Sequence, residues 1–461
     1  MRKDKPSPPK HETVHEQSNC AIFGNFHDFE PPGHLIEQLT SGNVVIFAGA
    51  GVSTEGRTVF PYTFYDEIHA ALGLGKKNKP PFPALMSMYC KKPDGRRKLL
   101  DALRSRLAYI SAFPELFRLA TRFHREISTF PYINTYVTTN WDNYFETICG
   151  ATPFVTADDF AFWNVKGRKV FKIHGSVSNY GSVVATNEDF LRAQNQLERG
   201  ALGSALKLLL ATKTIVYVGY SFSDHDFLSI QRYITRELRE VAPTAYIVTI
   251  DTTIKACLKK LGLTPIFTDA TCFIQVLKKH LGKDGHLLPD SQFDAVHRVL
   301  ARVRQEHRRL FDHFRLKRTP EILFAAAYQD GLGHAFERML AMAHTGEYSH
   351  RCEVISQVGR YEQIRKANLH QRRYDDVAYI QGYMNGLYYL LLDERRRKAL
   401  PFYFGFGMPD TQTIGQYKRA LARNRDRHKA AASLARLIVT KDLGACEVLH
   451  HRPLLNWSDP P

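Results

Sequence analysis

Paired cysteines are missing from this sequence. Its seven cysteines, Cys20, Cys90, Cys149, Cys257, Cys272, Cys352 and Cys446, never fall in a C-x-x-C spacing. A structural zinc site usually needs two such pairs, or one pair with two nearby histidines, so no zinc module and no disulfide framework is expected. Long apolar runs are missing too: stretches such as 208–210 and 388–392 fall far short of the ~20 residues a membrane helix needs. The N-terminal MRKDKPSPPKHETVHEQ is basic but has no apolar segment behind it. It reads as a polar tail over 1–32 rather than a secretory signal, so the expected location is the cytoplasm, with no membrane partner. No fixed-period repeat and no basic–aromatic nucleic-acid module stand out. Acidic residues are in deficit, 46 against 63 Lys and Arg, for a formal charge of +17. More than half of that excess lies beyond residue 290. Such a surface attracts nucleotides, nucleic acid or an acidic protein, or simply keeps a basic face solvated.

What is present is the composition of an ordinary globular chain, 44% hydrophobic and 24% charged. Short apolar, β-branched runs bounded by turn residues predict strands at 44–47, 132–137, 170–173, 214–218, 245–250 and 264–267. Helical patterns at 34–39, 65–72, 99–108, 116–127 and 202–210 separate them. This alternation predicts an α/β fold with a doubly wound parallel sheet. The Lys-, Pro- and Gly-rich stretch 73–98 interrupts it and reads as a mobile insertion or lid, or as a plain surface loop. Beyond about residue 289 the strand runs stop. Helical patterns at 294–314, 319–328, 378–397 and 414–439 predict a mainly α-helical C-terminal domain. The expected division is a tail at 1–32, a nucleotide-binding domain at 33–285 and a helical domain at 286–461.

Ligands of such sheets bind beyond the carboxyl ends of the strands, and five motifs fall there. Gly49-Ala50-Gly51-Val52-Ser53 follows the first strand, with glycines that let backbone approach a pyrophosphate. Thr138-Thr139-Asn140-Trp141-Asp142 sets a carboxamide and a carboxylate two apart; taken singly, Asn140 is a turn former and Asp142 a helix cap. Lys172-Ile173-His174-Gly175 offers an imidazole suited to general-base work. Val218-Gly219-Tyr220-Ser221 is trailed by Ser223-Asp224-His225-Asp226-Phe227, and Asp251 ends the next strand, where a carboxylate can bind a ribose diol.

GAGVS, TTNWD, KIHG and VGYS with SDHDF, in this order at strand ends, resemble the sirtuin family, and more closely the sirtuin-like domains of bacterial antiphage defence proteins. The resemblance covers roughly residues 33–280. It implies a sirtuin-like Rossmann domain that takes NAD as substrate, with no metal. Gly49, Ala50, Gly51 and Ser53 would hold the pyrophosphate, and Thr139 would line the cofactor site where deacetylases carry glutamine. Asn140 would orient the attacking group at the nicotinamide ribose, Asp142 would lie in the nicotinamide pocket, and His174 would be the general base. Gly219 and Ser221 would contact the phosphate and adenosine side, and Asp251 the adenosine ribose. The paired-cysteine zinc module and the Gly-Ile-Pro-Asp-Phe-Arg-like loop of deacetylases are both absent from this sequence, where TEGRTVFPYTFYDEI follows the glycine motif. The expected activity is therefore NAD+ glycohydrolysis with water as acceptor, as an abortive-infection effector. A protein deacylase or ADP-ribosyltransferase, and a non-enzymatic NAD or ADP-ribose sensor, are the alternatives. By the same analogy the helical domain would sense a phage-derived protein or a partner defence protein, or drive homo-oligomerisation, and its basic surface leaves nucleic acid open. Within it, Asp375-Asp376 reads as a helix cap, Arg395–Arg397 as a solvated face, QGYMNGLYYLLL as helix core, and FYFGFGMP as a buried turn or partner contact.

Overall fold

The computed structural model describes residues 29–53, 59–220, 243–254, 258, 261–423, 428–441 and 450–454. Seven strands form one parallel sheet: β1 (Val44–Ala48), β2 (Thr135–Thr138), β3 (Thr152–Phe154), β4 (Lys169–Lys172), β5 (Thr214–Val218), β6 (Ala245–Thr249) and β7 (Leu263–Phe267). Their order is β3-β4-β2-β1-β5-β6-β7. Strands buried on both faces need apolar residues at every position, which is why they read as continuous runs. Alternate residues serve the two faces. Val44, Ile46, Val216, Val218, Tyr246 and Val248 pack with Leu35, Leu39, Phe123, Phe273 and Leu277. Val45, Phe47, Ile215, Tyr217 and Ile247 pack on the other side with Leu206 and Leu210. Helices Gly33–Thr40, Arg122–Ser128 and Ala270–Lys283 thus cover one face and helix Ala201–Thr212 the other.

The chain leaves β1 toward β2 and later returns beside β1 as β5 before moving outward through β6 and β7. The direction of winding reverses between β1 and β5, which opens a crevice above their carboxyl ends. The register pairs Ala48 with Thr138 and Val218, and Thr138 with Lys172. Gly49, Thr139, Ile173 and Gly219 therefore leave the sheet at one level.

Several elements depart from the sequence patterns. The β3 strand, TPF, is three residues long and contains Pro153, tolerated because β3 is an edge. The pattern over 116–127 forms two helices, Pro114–Ala120 and Arg122–Ser128. Between them the Thr121 hydroxyl donates back to Phe117 O at 2.6 Å, a local bond that competes with the regular helix. The stretch 73–98 is not an open loop. It contains helix Phe82–Cys90 and begins helix Gly95–Ala112. Leu85 and Met86 are buried with Phe64, Ile68, Leu99, Leu103 and Val183, so the Lys- and Pro-rich residues are turns within a packed helical layer.

The helical part is built from Ser291–His313, Ile322–Ala341, Arg351–His370, Tyr374–Leu391, Glu394–Arg397, Ile414–Arg423 and Lys429–Lys441. One apolar cluster runs through it from Leu288 to Val439. The Tyr-rich run is core, as its spacing predicts: Tyr379, Tyr383 and Leu387 are buried. FYFGFGMP is a buried turn, with Phe402 and Tyr403 inside and the Tyr403 hydroxyl on Glu306 Oε2 at 2.7 Å. Arg395 and Arg396 are exposed, as expected of a solvated face, while Arg397 is half-buried and its Nε donates to Tyr389 O at 2.9 Å. The sheet and the helical part meet through Arg168, whose Nη2 donates to Thr345 O at 2.7 Å, and through Tyr132, whose ring packs edge-on to that of His350 at 4.9 Å.

Helices Ile322–Ala341 and Tyr374–Leu391 cross on glycines. A Cβ on Gly331 would land on Tyr379 O, and one on Gly382 would land on Tyr328 O. Gly359, by contrast, is exposed on its helix with open space where a Cβ would go. Gly382→Ala is expected to destabilise the protein by about 1–3 kcal/mol through forced separation of the two backbones. Gly359→Ala should stabilise it by about 0.5–1 kcal/mol through helix propensity. Denaturant midpoints of the two variants beside wild type check the contrast, and equal effects would contradict it.

Candidate active site

The turns after β1 and β5 interlock. Gly219 has φ +70°, and a Cβ there would lie 2.7 Å from Val52 Cγ1. A Cβ on Gly49 would lie 2.7 Å from Gly219 O, and one on Gly51 2.8 Å from the same atom. Gly51 N donates to Gly219 O at 3.0 Å and Gly49 N to Val218 O at 2.9 Å. Val52 N and Ser53 N turn inward to Gly49 O and Ala50 O. The glycine spacing thus serves first to dock two loops at the switch point, and these four amides are engaged within the interlock.

Asn140 closes over it. Its side chain is buried, and Nδ2 donates to Gly49 O and to Ser53 Oγ, both at 3.1 Å. Its backbone N donates to Thr138 Oγ1 at 3.0 Å, and that hydroxyl donates to Ala48 O at 2.9 Å. A carbonyl can only accept, so Gly49 O fixes which end of the carboxamide is nitrogen. The other end, Oδ1, is buried with no hydrogen-bond partner among the described residues. An orphaned acceptor costs about 1–3 kcal/mol, which a donor from a ligand or a held water would offset. Thr139 sits alongside, its hydroxyl 3.2 Å from the Tyr220 hydroxyl, which donates to Ala48 O at 3.2 Å.

Asp142 is buried just ahead of the N-cap residue Asn143, and its Oδ1 accepts from Tyr144 N at 3.2 Å at the start of helix Tyr144–Cys149. Its backbone oxygen accepts from Lys172 Nζ. Lys172 is itself buried and paired with Glu146 Oε1 at 3.1 Å. Burial pushes the Glu146 carboxyl up, partly opposed by the Lys172 charge. Val177 N donates to Trp141 O at 2.9 Å. These bonds tie the loop carrying Asn140 to the one carrying His174. His174 is buried, edge-on to Phe190 at 5.0 Å between ring centres. Gly175 follows at φ +83°, and a Cβ there would strike Ser182 O, so the reversal after the imidazole requires glycine.

Direct hydrogen bonds bring together Gly49, Ser53 and Asn140, and the interlock adds Gly51 and Gly219. Ala50 lies in the same turn, Ala50–Val52. Asp251 stands apart, fully exposed after β6, where Oδ1 accepts from Thr253 N at 2.9 Å and Thr253 Oγ1 at 2.6 Å. Those two bonds hold its carboxyl below the ordinary range. Ser221 and the SDHDF motif lie outside the described residues.

Sequence reasoning did not single out Thr138, Tyr220, Lys172 or His124. The first three sit inside quoted motifs, but their roles depend on contacts across the sheet. His124 has no sequence signal. It is fully buried in helix Arg122–Ser128, 5.5 Å from the Tyr144 ring, and neither ring nitrogen has a partner among the described residues. Burial lowers its pKa from 6.5 to about 4, against the pull of Asp142. The folded form thus binds the proton more weakly than the unfolded chain. Stability is full above pH 6.5 and falls as pH drops toward 4, by about 3 kcal/mol in total at about 1.4 kcal/mol per pH unit. Urea unfolding across that window should show the fall in wild type and a flatter profile in His124→Leu; an unchanged slope would assign the acid sensitivity elsewhere.

A family model described as a SIR2-like domain matches residues 134–266, from just before β2 to the end of β7. The match includes Asn140, His174 and Gly219 and leaves the Gly49–Ser53 turn outside it. The chain is 27% identical over 220 residues to NAD(+) hydrolase ThsA of Enterococcus faecium, covering 44% of this chain and 42% of that protein. It is 27% identical over 194 residues to NAD(+) hydrolase ThsA of Bacillus cereus, 41% of this chain and 39% of that one. Defense-associated sirtuin 2 of Bacillus subtilis is 22% identical over 212 residues, 44% of this chain and 20% of that protein. The chain spans about two-fifths of the length of the first two relatives. With its all-parallel sheet, its motifs at the strand ends and this match, the chain carries a SIR2-like domain of the sirtuin-like kind found in defence proteins.

Proposed function

We propose that the chain is an NAD+ glycohydrolase. The observation that supports this most directly is the buried Asn140 carboxamide, oriented by Gly49 O and Ser53 Oγ with Oδ1 left open at the switch point of the sheet. The names of the relatives point the same way. In the reaction the bond between the nicotinamide nitrogen and ribose C1′ breaks, and its electron pair leaves with neutral nicotinamide. Because the leaving group starts as a cation, no acid is needed. The ribose passes through an oxocarbenium-like state, and a water oxygen bonds to C1′ from the open face. Asn140 Oδ1 accepts a hydrogen bond from that water and holds it in line. His174 takes its proton, and Asp142 supplies buried negative charge toward the cationic ribose. Thr139, Ser53 and the glycine turns line the cofactor side, with Asp251 toward the adenosine; Ser221, assigned to the same end, lies outside the described residues.

The relatives include a protein named for defence, and unregulated NAD loss would harm the host. We therefore place the activity in abortive infection, silent until triggered by a phage-derived protein or partner acting on the helical part, in a homo-oligomer within the cytoplasm. Nicotinamide release from NAD+ by the purified full chain, with and without lysate of infected cells, tests the reading. Asn140→Ala and His174→Ala are each expected to lower release by about 100-fold or more while NAD+ still binds. NAD+ bound without any release, in both conditions, would overturn the hydrolase and leave a sensor or an acyl-transfer enzyme.

A further inference from the structure

The helical part carries a set of donors that the proposed NAD chemistry does not use. His307 on helix Ser291–His313, Asp330 on helix Ile322–Ala341 and His450 in the stretch 450–454 place one ligand atom each within 4.8 Å of one another. His450 Nδ1 lies 3.1 Å from Asp330 Oδ1, and His307 Nδ1 lies 3.9 Å from the same oxygen. Two donors each bound at about 2.0–2.1 Å to one ion stand roughly 3.0–3.4 Å apart; the His307 and His450 rings stack 4.8 Å apart at 14°, so the imidazoles would have to turn for all three donors to meet at one centre.

His307 supplies an independent sign of a missing partner. The residue is 8% exposed, and neither ring nitrogen meets hydrogen-bond distance and angle with a partner among the described residues, although the Gln329 side chain lies within reach of the ring. Buried polar groups are rarely left this way without a function or a bound species. Gln329 lies against the ring. Its Nε2 donates to Phe402 O at 3.0 Å, which leaves Oε1 also unpartnered among the described residues. A metal-bound imidazole commonly donates its other N–H to a carbonyl, and Gln329 Oε1 stands ready for that N–H.

The neighbouring histidine has a different task. His451 N donates to Asp330 Oδ2 at 2.7 Å, its Nε2 pairs with Asp376 Oδ1 at 3.1 Å, and its ring stacks on Tyr379 at 4.5 Å. His451 therefore anchors the segment and orients the Asp330 carboxylate. His450 keeps a side chain 65% exposed. A cavity of about 300 Å³, lined in part by Asp376, His450, His451 and Arg452, lies beside His450.

We propose that His307, Asp330 and His450 form a binding site for one divalent first-row transition ion, of the zinc class, which fastens the segment 450–454 to helices Ser291–His313 and Ile322–Ala341. Two imidazoles and one carboxylate suit zinc and its neighbours, whereas Mg2+ and Ca2+ favour all-oxygen sets. The site lies in the helical part and does not depend on the NAD reading.

The test uses tag-free full-length protein, stripped with EDTA, dialysed and titrated with Zn2+ against a chromophoric chelator. Expected are one Zn2+ per chain, a rise in Tm on Zn2+ but not Mg2+ addition, and visible d–d bands on Co2+ substitution. His450→Ala removes an exposed side chain and should fold; it is expected to weaken Zn2+ binding by roughly 10- to 100-fold or more and to change the Co2+ spectrum. His307→Gln should do the same, and His344→Ala, on a separate surface turn, should not. Absence of stoichiometric Zn2+ in wild type, or binding unchanged by His450→Ala, would overturn the proposal.

Discussion

The candidate site depends on two backbone turns that leave no room for a Cβ between them. Gly49 and Gly51 back onto Gly219 at the point where the sheet reverses its winding, and the left-handed φ of Gly219 aims its carbonyl at Gly51 N. Once they are docked, Gly49 O faces away from the sheet as a fixed acceptor, and Asn140 is oriented against it. A larger residue at any of the three positions would separate β1 from β5 at their ends. Asn140 would then lose the atom that decides which way its carboxamide points. The geometry of the candidate site is inherited from a packing constraint.

A second layer of polar contacts sets the spacing between the loops. Lys172 is the last residue of β4, yet its ammonium reaches Asp142 O and Glu146 in the neighbouring connection. Buried ion pairs contribute little net stability, because desolvation offsets their attraction. Their value here is geometric: an ammonium with two buried acceptors holds the strand end carrying His174 against the loop carrying Asn140. The same region leaves His124, the Tyr144 hydroxyl and Glu146 Oε2 without partners among the described residues. Polar groups under strain of this kind concentrate where function constrains the packing, and the acid sensitivity expected from His124 is a consequence.

How much of this is legible in sequence follows from which contacts are local. The strand 214–218 is read to the residue because a buried threonine and four buried apolar residues stand together between Lys213 and Gly219. The motifs at strand ends are legible because a parallel sheet must place its loops together, so order along the chain becomes proximity in space. What is not legible depends on partners far away in sequence. β3 has no pattern because three residues and a proline carry none. Asp251 reads as a ribose ligand, while the structure also gives it the bonds of a local cap. Asp375 and Asp376 read as a cap, and both stand in the first turn of helix Tyr374–Leu391. Asp376 is also buried against Arg373 and His451. Cysteine spacing could speak only to cysteine-built metal sites. A donor set of His307, Asp330 and His450, 120 residues apart at its widest step, leaves no spacing to read.

The contact between the two parts of the chain has a direction. Arg168 is buried, and its guanidinium is divided among Cys149 O, Phe130 O and Thr345 O. It immediately precedes β4, whose far end presents Lys172 and then His174. Thr345 belongs to the turn that follows helix Ile322–Ala341, the helix that carries Asp330. A shift of that helix cannot be absorbed at Arg168 without leaving a buried charge short of an acceptor, a loss of roughly 1–3 kcal/mol or more. Gly346 narrows the tolerance further, since its φ of +74° places its backbone directly against Thr129 O. The junction is therefore closely packed and hydrogen-bonded where it meets β4, the strand that leads to the imidazole.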